Sequence, residues 1–166
     1  MIVTVETGAR LLHGPAGAVA CRIGRAGTVA EAAKREGDGC TPIGEWPVRA
    51  ILFRRDRVAR PALRLPWRWI RAGEGWSDDP GDPAYNRPVR LPHPHSAEAL
   101  WREDGAYDVI LVLGHNDDPP RPGAGSAIFV HCSTVSGFTQ GCVALARPAL
   151  LDLVARLAPG DRIAIR

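Results

Sequence analysis

Several features are scarce or missing from this 166-residue sequence. No stretch approaches the roughly 18 apolar residues that a membrane-spanning helix requires, so no transmembrane segment is expected. The opening Met1-Ile2-Val3-Thr4-Val5-Glu6 has no basic region leading into an apolar core and does not read as a signal peptide. Basic clusters are missing as well. The 21 Lys and Arg residues, mostly arginine, are scattered against 18 Asp and Glu for a net charge of +3. The densest group, Arg54-Arg55-Asp56-Arg57, is interrupted by an acid, which argues against a nucleic-acid footprint. The four cysteines, Cys21, Cys40, Cys132 and Cys142, include no C-x-x-C pair and do not form a disulfide scaffold. No polar linker or shift in composition divides the chain, so residues 1–166 are expected to form a single domain, and a monomer, with enough length for a substantial core.

What is abundant is glycine (18) and proline (15), which with few helix-period segments indicates a turn-rich, mostly β protein. Strands are expected at 2–5, 18–23, 46–53, 67–71, 107–113, 127–132 and 161–166, with 107–113 so continuously apolar that both of its faces should be covered. A helix is expected after Pro148, where Leu150, Leu151, Val154 and Leu157 recur at helical spacing. A shorter helix is expected at 97–103 with Ser96 as its N-cap. Residues 28–36 read as a short helix or a polar loop, His13 as part of a turn, and Thr41-Pro42-Ile43-Gly44 as a turn with proline at its second position. Residues 75–88 carry too much proline and aspartate for a regular element.

The chemistry concentrates in residues 125–144. An apolar strand ends on His131, turns through small polar residues, and reaches Cys142 directly after Gly141. Imidazole and thiol together can make a thiolate nucleophile, and a glycine beside it lets a carbonyl approach the backbone N–H groups. Alternation puts Ala127, Phe129 and His131 on one face of the strand and Ile128, Val130 and Cys132 on the other, so Cys132 reads as a buried structural thiol. The competing readings are that His131 and Cys142 are ordinary buried residues, or that with Cys132 they bind zinc. The H-C-x9-C spacing matches no recognised ligand pattern and lacks a fourth ligand, and catalysis is preferred. His93 and His95 have no further ligands nearby, and Asp78, Asp79, Asp82 and Asn86 lack the spacing of a calcium loop. No metal or cofactor is expected. Loop 75–88 reads either as a cap over the site, with Trp76 and Tyr85 as apolar walls and Arg87 as a carboxylate contact, or as a surface loop stapled by aromatic contacts. His115 and Asn116, at the end of the buried strand, and Ser126 and Thr139 are candidate substrate contacts.

His131, Thr139-Gln140-Gly141-Cys142 and the upstream Gly39-Cys40-Thr41-Pro42-Ile43-Gly44-Glu45-Trp46 together resemble the L,D-transpeptidase family, the YkuD-type catalytic domain of bacterial cell-wall enzymes, over roughly 21–165. The chain departs from the family pattern in having Cys132 where a glycine usually follows the histidine, Gln140 where a histidine precedes Gly-Cys, Ala144 where an arginine is frequent, and a short His131–Cys142 spacing. The resemblance implies a sandwich or partly closed barrel with one substantial late helix, and a loop at Thr41-Pro42-Ile43-Gly44 that supports the catalytic sheet rather than serving only as a turn. It also implies Cys142 as nucleophile, His131 as base, the Cys132 backbone carbonyl as the group that orients the ring, and the N–H groups around Gly141 and Cys142 as oxyanion donors, with the role of Gln140 open. The partner implied is a peptidoglycan stem peptide. Its diaminopimelate–D-Ala bond would be opened through a thioester that passes to an amine, giving a 3-3 or a 1-3 crosslink. An L,D-carboxypeptidase or other hydrolase using the same thiol, and a non-catalytic wall-binding module, are the alternatives. The family implies action in the periplasm or cell envelope, whereas the missing signal peptide leaves a cytoplasmic location open.

Overall fold

Period-two burial sets most of the strands in the computed structural model, which describes residues 1–166. In β1 (Ile2–Glu6) Val3 and Val5 are fully buried while Ile2 and Glu6 are exposed, as expected for a half-covered strand. There follow β2 (Leu11–Gly14), β3 (Gly17–Arg22), the short β4 (Thr28–Ala30) with a 3-10 turn at Glu31–Ala33, and β5 (Thr41–Phe53). The chain continues through β6 (Trp67–Trp69), β7 (Glu74–Ser77), β8 (Pro88–Arg90), β9 (Ala97–Ala99) and β10 (Val109–Leu113). It closes with β11 (Phe129–Cys132), β12 (Val143–Leu145), α1 (Arg147–Arg156) and β13 (Arg162–Ile165).

Eight strands run in the order β10-β11-β12-β3-β2-β1-β13-β5, and β5 pairs back onto β10, so the sheet closes into a barrel. The fold is mostly β with one helix, as the resemblance implied, and of the sandwich and the partly closed barrel it is a barrel, with its ring complete. The interior is filled by Val3, Val5, Ile51, Phe53, Leu111, Val130, Leu145 and Ile163, with Leu150, Leu153, Val154 and Leu157 of the α1 region joining the same core. Pro148 lies in the first turn of α1, where its missing N–H costs nothing.

A second apolar core lies outside the barrel wall. Leu52, Ile110, Val112 and Phe129 point outward from β5, β10 and β11 and pack with Ile70, Leu100 and Tyr107. The small sheet β8-β7-β9 stands by this wall, with Trp76 of β7 packed on the same core. β10 is therefore buried on both sides, as its unbroken apolar run implied. A cavity lined by His131 and Cys142 opens on this outer side.

Five local expectations are corrected. Residues 28–36 form neither a helix nor a plain loop but β4 and a 3-10 turn, because 28–30 pair in parallel with the start of β5. Thr41–Gly44 is not a free turn but the first stretch of the thirteen-residue β5. His13 sits within β2 opposite Thr4. The 75–88 loop contributes the end of β7 and the first residue of β8, which pair across Trp76 and Pro88. The helix expected at 97–103 is replaced by β9, since Gly75, Trp76 and Ser77 offer a ladder to Ala97–Ala99; that pairing outweighs a weak local helix preference.

Candidate active site

β11 carries His131. Its inward residues Val130 and Cys132 join the barrel core, which leaves Phe129 and His131 on the outer face. His131 Nδ1 lies 2.9 Å from the Cys132 carbonyl oxygen. A carbonyl can only accept, so Nδ1 carries the proton and Nε2 the lone pair. Tyr107 meets the imidazole edge-on, with ring centroids 5.3 Å apart. Burial pushes the His131 pKa down from its ordinary value, against the pull of the Cys132 carbonyl. The ring is thus neutral at neutral pH, with its lone pair on Nε2.

Cys142 is placed by register. β12 runs parallel to β11 with Val143 opposite Val130, so the preceding residue, Cys142, falls beside Phe129. Its sulfur donates to the Ala127 carbonyl at 3.1 Å and accepts from the Phe129 N–H at 3.4 Å. Two threonine hydroxyls grip the Cys142 carbonyl: Thr139 Oγ1 at 2.7 Å and Thr41 Oγ1 at 3.3 Å. Thr139 is anchored in turn by main-chain bonds to Ile23 and Arg25. Gly141 is required here, because its φ is +140° and a Cβ would sit 2.9 Å from the Cys40 carbonyl oxygen.

Burial, followed by the nearby Glu98 charge, pushes the Cys142 thiol up to about 12, while the Phe129 N–H and Lys34 act in the other direction. The resting site therefore holds a neutral thiol and a neutral imidazole rather than an ion pair. Both line one cavity of about 620 Å³. No hydrogen bond joins Cys142 Sγ to the ring, so the two groups rest as neighbours, and a transfer of the proton requires the thiol to turn from Ala127 toward Nε2.

Of the other residues singled out in the sequence, Ser126, Thr139, Gln140 and Gly141 line this cavity with Cys142 and His131. The Gly141 N–H is not free, since it donates to Thr139 Oγ1 at 3.1 Å; the N–H of Cys142 has no partner. Cys132 offers its carbonyl alone. Its side chain, 2 % exposed, lies in the barrel core with its thiol pushed up to about 11 by burial, and so faces away from His131 and Cys142.

The remaining candidates fall elsewhere. Trp76 and Arg87 line a separate cavity of about 250 Å³ that shares only Ile128 with the first. Trp76 packs against Phe129 at 5.1 Å between centroids, and Arg87 binds the carbonyls of Asn86 and Asp117. Tyr85 is 3 % exposed and donates to Glu36 at 2.5 Å. His115 is buried edge-on to Trp46, neither ring nitrogen has a partner, and burial lowers its pKa to about 4. Asn116 pins the 116–125 turn by bonds to Arg121 and Gly125. The acidic loop residues are committed locally: Asp82 to Ser77, Ala84 and His93, and Asp79 to Gly81 and His95. Asn86 Oδ1 accepts from Trp76 Nε1 and from the Ala127 N–H.

Sequence reasoning missed Tyr107, Glu98, Arg102 and Lys34, all in the cavity wall. Tyr107 donates to Glu98 at 2.6 Å, and burial raises the Glu98 pKa. The wall carries the cations Lys34 and Arg102 and the anions Glu36, Asp78, Glu98 and Asp104, an excess of negative charge.

The family model of the YkuD L,D-transpeptidase catalytic domain matches residues 1–165. Among solved structures, L,D-transpeptidase 3 from Mycobacterium tuberculosis, in complex with a faropenem-derived adduct, is similar at 12% identity and a TM-score of 0.46. That similarity covers 99% of this chain and 59% of the other, so this chain spans about three-fifths of its neighbour's length. Comparison with curated protein sequences gives no match.

Proposed function

Since the chain belongs to the YkuD family of L,D-transpeptidase catalytic domains, we propose that it is a cysteine acyltransferase acting on peptidoglycan stem peptides in the cell envelope. The observation that carries this reading is the shared cavity in which a neutral imidazole, tied through Nδ1 to the Cys132 carbonyl, neighbours the Cys142 thiol and an uncommitted Cys142 N–H.

As the substrate carbonyl arrives, the thiol proton passes to His131 Nε2 and the sulfur attacks. The developing oxyanion takes the Cys142 N–H. When the tetrahedral species collapses, the carbon–nitrogen bond breaks and His131 returns its proton to the departing D-Ala amine, leaving a thioester on Cys142. An amine from a second stem then attacks with His131 as base, the thiol leaves, and the acyl group is transferred. The acidic excess of the cavity wall favours an ammonium-bearing acceptor over water, and so transfer over the carboxypeptidase alternative.

The test is incubation with purified disaccharide-tetrapeptide and mass analysis of the products. Release of D-Ala with a dimer supports the reading, and fragmentation of that dimer tells a 3-3 from a 1-3 link. Release of D-Ala with free tripeptide alone would replace transferase by hydrolase. Failure of a carbapenem to acylate Cys142 preferentially would leave only a wall-binding module.

A further inference from the structure

Lys34 is the only lysine in the chain, and it is one of the most deeply buried charges: its side chain is 3 % exposed. Its stem runs past Gly125, where a Cβ would come within 3.0 Å of Lys34 Cε; Gly125 has φ +95° and leaves that passage open. The ammonium ends against the nucleophile loop, 3.7 Å from where a Cβ on Gly141 would stand. It donates to the Arg35 carbonyl at 3.1 Å and to Asp38 Oδ1. Since an ammonium has three N–H donors, one remains uncommitted.

The surroundings single this cation out. Arg102, the other cation of the wall, is held in a two-armed pair with Asp104 and lies over the Tyr107 ring. Facing Cys142 from β9 is Glu98, whose charge opposes ionisation of the thiol, and from the segment before β10 comes Tyr107; His131 is neutral. Asp78 and Glu36 add to the negative side of the wall. An anion formed at Cys142 therefore meets acidic neighbours on the small-sheet side and Lys34 on the loop side. A bland alternative is that Lys34 only clasps the 35–40 loop through Asp38.

We propose that the Lys34 ammonium is the counter-charge for the anions that form at Cys142, first the thiolate and then the tetrahedral oxyanion. This deepens the acyl-transfer reading and rests on it for the second of these anions. In the step concerned, the thiol proton goes to His131 Nε2, the sulfur–carbon bond forms, and the carbonyl π pair moves onto oxygen. The Cys142 N–H and the free Lys34 N–H hold that oxygen. Collapse reforms the carbonyl, breaks the carbon–nitrogen bond, and sends the His131 proton to the leaving amine. Lys34 takes no part in the proton transfers and contributes a hydrogen-bond donor and a fixed charge.

The test reads the sulfur directly. Alkylation of Cys142 by iodoacetamide, resolved from the other three cysteines by peptide mass spectrometry, is followed against pH in the full chain, in Lys34→Met and in Asp38→Asn. At a pH well below the thiol's own, Lys34→Met is expected to alkylate about tenfold more slowly, equivalent to a rise of about one pKa unit. Asp38→Asn, which keeps the ammonium and removes its carboxylate partner, is expected to alkylate as fast as the parent or faster. D-Ala release in Lys34→Met should fall about a hundredfold, the usual cost of losing one oxyanion donor. A Lys34→Met profile that superimposes on the parent overturns the proposal, as does slowing of equal size in Asp38→Asn, which would assign the effect to the loop clasp. Should Lys34→Met fail to fold, slowing in Asp38→Asn alone is sufficient to overturn it. The alkylation profile needs no peptidoglycan, so a wrong substrate would leave this result standing.

Discussion

The Nδ1 atom of His131 faces the carbonyl oxygen of its own neighbour, Cys132, at 2.9 Å. That one contact selects the tautomer, leaves the lone pair on Nε2, and does so with backbone alone. The Cys132 side chain is on the other side of the strand in the barrel core. Replacing Cys132 by alanine should therefore keep the acyl-transfer rate within a few-fold of the parent and cost only about 1 kcal/mol of stability for the small cavity left behind. A loss of rate comparable to Cys142→Ala, in a folded protein, would assign the sulfur at 132 a chemical part.

Acid should silence the enzyme later than an ordinary histidine would suggest. The base works only when neutral, and burial holds its pKa below the usual 6.5. The lone pair therefore survives acidification through 6.5 and is lost only as pH falls through the depressed value. The acid limb of kcat/KM is expected below 6.5, and a limb at or above that value contradicts the assignment of a desolvated His131 as base.

The same sign governs stability at His115. Its folded pKa is about 4 against 6.5 for the free group, so the unfolded chain binds a proton between those values and the folded chain does not. Stability from this group is complete above 6.5 and is lost as pH falls toward 4, by up to about 3 kcal/mol. Neither ring nitrogen has a partner, so His115→Phe orphans nothing and should flatten this part of the acid dependence in urea melts. An unchanged slope would mean that the imidazole reaches solvent.

Gly141→Ala should fold and fail. The new Cβ would press on the Cys40 carbonyl at 2.9 Å in a backbone conformation at φ +140° that side chains disfavour, and the cost falls on the peptide that presents the thiol. The expectation is a loss of D-Ala release of at least tenfold, with unfolding stability lowered by about 1–3 kcal/mol. Activity retained at the parental level would show that the loop has freedom to move away from Cys40.

The parts of this site that the sequence disclosed are those encoded within a few neighbouring residues. Alternation along Ala127 to Cys132 puts His131 and Cys132 on opposite faces whatever surrounds them, and a glycine before Cys142 marks the turn that presents its thiol. What remained hidden arrives through pairing at long range. Glu98 reaches the cavity because Ala97–Ala99 joins Gly75–Ser77 in a ladder, while the local composition suggests a helix. Lys34 arrives from a 3-10 turn whose following loop wraps Asp38 around its ammonium. Trp76 and Arg87 have the chemistry expected of a substrate wall, but the register of β7 and β8 sets them at the smaller cavity. No periodicity within one segment carries that information.

The central claim is that the sulfur of Cys142 takes the acyl group. Intact-mass spectrometry of the protein trapped during turnover of disaccharide-tetrapeptide tests it most directly. A covalent adduct on Cys142 equal to the stem less its terminal D-Ala is expected, absent in Cys142→Ala, which should also release no D-Ala. Release at the parental rate by a folded Cys142→Ala protein, or an adduct mapped to another residue, would contradict it.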